Sequence, residues 1–110
     1  MFEIEKGMKK INGEMVETYK RIVSTPSVRL AVEAGTTGYK GSASRSAGGR
    51  TYIRIVCHKG DFCFDPFFDE EGNVVGFEIG VCGDAGLDSV MKSFEFIQKA
   101  VNDQCFDSDD

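Results

Sequence analysis

Sixteen residues, GTTGYKGSASRSAGGR at positions 35–50, set the frame for the rest of the chain. Five are glycine (Gly35, Gly38, Gly41, Gly48, Gly49), three are basic (Lys40, Arg45, Arg50) and none is acidic. With almost nothing to bury, the stretch can be neither a packed strand nor a packed helix. It must be a connection, and what lies on either side must fold without it. On one side, Val28, Leu30, Val32 and Ala34 alternate with Ser27, Arg29, Ala31 and Glu33. On the other, Ile53, Ile55 and Cys57 alternate with Tyr52, Arg54, Val56 and His58. Both are half-buried strands by their period of two. The stretch is then a long basic insertion in a hairpin.

Upstream, Ile4, Met8, Ile11, Met15, Tyr19 and Ile22 fall at spacings of 4, 3, 4, 4 and 3. That spacing predicts a helix over residues 2–24, closed by Ser24-Thr25-Pro26. Downstream, FCFDPFF at 62–68 and VVGFEIGVC at 74–82 read as strands around the turn Asp69-Glu70-Glu71-Gly72-Asn73. Pro66 cannot donate to a ladder, so its strand is an edge or carries a bulge. Asp84 can cap a second helix over 85–103, with Leu87, Val90, Met91, Phe94, Ile97, Ala100 and Val101 on its apolar face. Residues 104–110 read as a frayed acidic tail. The expectation is one α+β domain over 1–110. Its antiparallel sheet has about four strands, in α-β-β-β-β-α order, packed against one or two helices.

The charge is lopsided. Residues 1–60 hold eleven Lys/Arg against five Asp/Glu; residues 61–110 hold two Lys against thirteen Asp/Glu. Opposed fields on one small body follow unless the halves interleave in space. No apolar run nears the roughly 18 residues of a membrane span. The beginning MFEIEKGMKK lacks an apolar leader core, which points to the cytoplasm. In that reducing compartment Cys57, Cys63, Cys82 and Cys105 are free thiols.

Motifs for chemistry are sparse. Gly35, Gly38 and Gly41, with nearby serines and Lys40, Arg45 and Arg50, offer N–H groups and positive charge to an anion. Neither the Walker order nor a following helix is present, so the nucleotide-loop patterns are absent. Adjacent Cys57 and His58 point to opposite faces of a strand, a poor start for a zinc site or a Cys–His nucleophile. Asp61, Asp65, Asp69, Glu70 and Glu71 make an acidic hairpin, able to imitate a nucleic-acid backbone and occupy a protein's binding groove. No nucleophile–base pair, metal quartet or cofactor motif passes a geometric check, so neither an enzyme nor a cofactor is expected.

The parts Ala34–Gly38 (AGTTG), Gly48–Ile55 (GGRTYIRI) and Gly83-Asp84 before the last helix resemble a group of small proteins in phages and mobile elements of gut bacteria. The likeness covers about residues 32–101. That group carries Gly-Gly-Asp and Gly-His-Gly within the loop, where this chain has Gly41-Ser42-Ala43 and Ala47-Gly48-Gly49. The resemblance implies a non-enzymatic inhibitor of a host defence nuclease, of the anti-CRISPR class. Its contacts would be Tyr39, Lys40, Arg45 and Arg50 on the loop and Asp61, Asp65, Asp69, Glu70 and Glu71 on the hairpin. The alternative is a sponge for a phosphorylated ligand such as a nucleotide, gripped by Gly38, Lys40, Gly41, Ser42, Arg45 and Arg50. Either reading excludes a membrane partner and disfavours direct nucleic-acid binding; self-association is open.

Overall fold

The computed structural model describes residues 4–38 and 49–107, with side chains through Cys105. Strands β1 (Glu5–Ile11), β2 (Glu14–Ser24), β3 (Arg29–Thr36) and β4 (Thr51–Lys59) form an antiparallel meander in chain order. Strands β5 (Phe62–Phe68) and β6 (Val74–Val81) pair only with each other, as a separate two-stranded sheet. Helix α1 (Gly83–Asp107) follows. The α+β class and the antiparallel strands stand as expected.

The expected N-terminal helix is replaced by the β1–β2 hairpin. Asn12 and Gly13 take φ of 48° and 85°, so both central turn residues are left-handed, as a two-residue I′ hairpin turn requires. The helical spacing misleads because β2 is buried from both sides. Tyr19 and Val23 face one way, Val16 and Thr18 the other, and the union of two strand faces imitates steps of three and four. The element order is therefore six strands and then a helix. The four-stranded sheet is β1–β4, not the four strands expected from residue 27 onward. The last helix also runs on to Asp107, through residues expected to fray, while 108–110 lie outside the described residues.

The core forms where α1 crosses β3. Register puts Val23, Leu30 and Cys57 in one row and Arg21, Val32 and Ile55 in the next, all on the helix side. Leu30, Val32 and Ala34 are fully buried, and Leu30 and Val32 pack with Phe96 from the helix. Fully burying a Leu or Val contributes roughly 1.5–3 kcal/mol. Ser89 and Ser93 are small enough to bring the helix close. Their hydroxyls donate back along it to the carbonyls of Ala85 and Ser89 at 2.8 and 2.7 Å, so neither is left unpaired.

The other face of the sheet closes by curling. A flat sheet would hold β1 and β4 about 14 Å apart at the usual strand spacing. Instead the Lys9 ammonium of β1 lies 5.2 Å from the ring centre of Tyr52 on β4. Val16 and Thr18 are fully buried inside the curl, where the Thr18 hydroxyl donates to Glu33 at 2.6 Å. Gly35 lies in the same crease. A Cβ there would run into the Glu17 carbonyl and sit 2.8 Å from the Thr18 Cα, both backbone atoms. Gly35→Ala should therefore lose about 1–3 kcal/mol in urea unfolding, as overpacked sites do. Gly76→Ala, whose nearest neighbour is a Phe67 ring carbon at 3.8 Å, should unfold within about 1 kcal/mol of the native chain.

Candidate functional site

The β5–β6 hairpin is an arm. At Gly60 (φ 124°) the chain turns away from β4 instead of folding back along it, with Phe62 N–H bonded to the Gly60 carbonyl at 3.1 Å. Among the described residues, it is the root that packs on the body. Phe62 packs on the core cluster alongside Ala85, and a Cβ on Gly86 would sit 3.2 Å from Val81. Beyond the root the arm is mostly solvent-exposed. The chain extends 46 × 43 × 18 Å, with a radius of gyration of 15.8 Å. A compact chain of this length would have about 13 Å.

Pairing sorts the arm into two faces. Phe62 lies opposite Val81, Phe64 opposite Ile79, Pro66 opposite Phe77 and Phe68 opposite Val74, giving one apolar face. Cys63 lies opposite Gly80, Asp65 opposite Glu78 and Phe67 opposite Gly76, giving the other. The missing N–H of Pro66 is tolerated because both strands are edges. The register slip falls one residue later, between Phe67 and Phe68. From Gly60 to Cys82 there are six carboxylates (Asp61, Asp65, Asp69, Glu70, Glu71, Glu78) and no Lys or Arg.

Asp69 holds the tip together. Its Oδ1 accepts the N–H groups of Glu71 and Asn73, each at 2.9 Å, and its Oδ2 accepts the Asn73 amide at 3.3 Å. Its own N–H donates to the Asn73 carbonyl at 2.9 Å. The Asn73 N–H bond, foremost among these, holds the Asp69 carboxyl below its ordinary value of 3.8. Asp69 thus shapes the turn, while Glu70 and Glu71 beside it, Asp65 on β5 and Asp61 at the root are exposed.

The glycine-rich insertion springs from the far end of β4. The nine residues of β4 put about 30 Å between its neck and the root of the arm. Tyr39, Lys40, Gly41, Ser42 and Arg45 lie outside the described residues. Gly38 and Arg50 are described, and both are tied into the neck. Gly38 N–H donates to the Thr36 hydroxyl at 3.0 Å, and Arg50 N–H to the Thr37 hydroxyl at 2.9 Å. The Arg50 side chain is 14% exposed and reaches back to the β1–β2 turn. Its Nε donates to the Ile11 carbonyl at 3.1 Å and Nη2 to the Asn12 carbonyl at 3.4 Å, while Nη1 lies 3.8 Å from Glu14. The described part of Arg50 is a staple of the curled sheet.

Two features escaped the sequence reading. An open groove of about 1010 Å³ runs between α1 and the helix side of β2, with Ile4, Tyr19, Phe96 and Ala100 among its walls and Arg21, Lys92 and Lys99 along it. Assigning residues 2–24 to a helix hid it; the Asn12-Gly13 pair was the signal for the hairpin that forms it. Gln104 closes one end. Its amide donates to the Glu17 carbonyl and accepts from Thr36 N–H, both at 2.8 Å, bridging β2 and β3 just beyond their last pair. Nothing in the local pattern marks a glutamine for that task. Cys57 packs on the core, whereas His58 lines a cleft on the opposite face. Among the described residues no three His, Cys, Asp or Glu side chains converge as metal ligands, and no helix is long and apolar enough to cross a membrane.

Because Asp69 is more acidic folded than unfolded, its charged form stabilises the tip fully above the unfolded value. That support drains away as pH falls through the folded value, below about pH 4. An NMR titration should show the Asp69 carboxyl protonating at lower pH than its ordinary value. Asp69→Ala should speed amide exchange at Glu71 and Asn73 while leaving β2 and β3 protected.

Comparison with protein-family models, curated proteins and solved structures returns no match for this chain.

Proposed function

We propose that the protein is a non-enzymatic inhibitor that works by contact, laying the acidic side of its arm into the nucleic-acid groove of a host defence nuclease. One observation carries the reading: Asp65 and Glu78 lie directly opposite each other on an arm that holds no cation. Like charges facing across a pair destabilise a hairpin. Folding gains nothing from them, whereas a cationic groove would relieve the repulsion. Glu70 and Glu71 extend the same charge over the tip, and Asp61 carries it to the root. The anionic arm would steer itself toward a basic channel and compete there with phosphates. The likeness of Ala34–Gly38 and Gly48–Ile55 to small mobile-element proteins supports the same class of partner.

The test leaves Asp69 in place, since it builds the turn. Asp65→Asn, Glu70→Gln, Glu71→Gln and Glu78→Gln together should keep the melting temperature of the native chain. They should slow association with a purified defence nuclease by about tenfold or more, and flatten its dependence on salt. Native binding that excess nucleic acid displaces is the expected companion result. Unchanged association of the neutralised arm would overturn the proposal.

A further inference from the structure

The acidic side of the arm leaves its other side unexplained. Phe64, Phe68, Val74 and Phe77 are exposed there, Phe77 at 68%. A two-stranded hairpin is marginal in water on its own, and this one packs on the body at its root. The body carries a second uncovered apolar surface. Leu87, Met91 and Phe94 follow at helical spacing on α1 and are each about half exposed. Lys92, Glu95, Lys99 and Asp103 line the groove over β2, and Asp84, Asp88 and Glu95, three or four positions from Leu87 or Met91, border the stripe on that side. On the edge strand β4, Ile53 is also half exposed.

We infer that these two surfaces cover each other between two copies of the chain. The apolar face of each arm lies across the α1 flank and Ile53 of the other copy, about a two-fold axis. One chain supplies both halves of the contact, so two copies close the assembly and leave no open end. Large side chains offer about 150–250 Å² each. The exposed portions of these eight residues thus amount to roughly 800 Å² per chain, one partner's share of a stable interface. Exchange of the arms also turns their acidic sides outward, so the dimer presents two of them to a partner.

Light scattering on the full chain should give twice the 12.1 kDa chain mass at tens of micromolar. Phe77→Glu on the arm and Met91→Lys on the flank each spoil both contacts of a like pair. Each should weaken the dimer by about 30-fold or more. Both side chains are exposed in the single copy, so circular dichroism and cooperative unfolding should persist. Mixing the two variants should restore dimers. The mixed pair keeps one native contact and sets Glu against Lys in the other. A native chain that stays monomeric into the hundreds of micromolar would overturn the inference. So would a dimer indifferent to Phe77→Glu, or a mixture that fails to recover mass. The four-carboxylate variant above should still dimerise, which separates failure of this contact from failure of the inhibitory one.

Discussion

The turn at Gly60 decides the shape of this molecule. There the chain has a choice between pairing β5 with the open edge of β4 and leaving the sheet. Gly60 has φ of 124°, a conformation closed to most side chains, and Val28 and the Ser27 carbonyl crowd the place a Cβ would take. Pro66 in the middle of β5 would break a ladder with β4, since it has no N–H to give. The chain therefore leaves. Phe62 and Val81 anchor the root, and the rest of β5 and β6 can satisfy only each other. An edge strand, a two-faced arm and an uncovered helix flank all descend from that one departure.

The departure also separates charge. The lopsided sequence could have interleaved its halves and cancelled them. Instead the cations of β1 to β4 stay with the sheet, and six carboxylates leave with the arm. The sheet that remains is stiffened by its own curl. Arg50 ties the start of β4 to the Asn12-Gly13 turn, and Gln104 ties the end of α1 to β2 and β3. The body is a closed platform, and the arm packs on it at the root.

Local pattern made much of this readable. Strands β3 to β6 and the start of α1 appear within a residue or two of where alternation and turn chemistry put them. The acidic turn at Asp69 is legible for the same reason, because side chain and backbone meet within five residues. What failed is non-local. Alternation says that a strand has two faces, not which strand it pairs with, so β5–β6 was wrongly joined to the main sheet. In β2, burial on both faces erased the period of two and left a helical imitation. The surroundings of Arg50 mark it as a contact residue; its bonds to the Ile11 and Asn12 carbonyls, almost forty positions away, are announced by no local pattern.

The central claim is that the arm is an interaction element and not part of the folding core. Shortening it tests this most directly. Residues 64–79 are replaced by an Asn-Gly turn joining Cys63 to Gly80, which keeps Phe62 and Val81 at the root. The account predicts that this chain unfolds cooperatively, with native-like amide protection in β2, β3 and α1, while losing both self-association and nuclease binding. Loss of cooperative unfolding and of β3 protection would contradict it, because the arm would then be holding the body together.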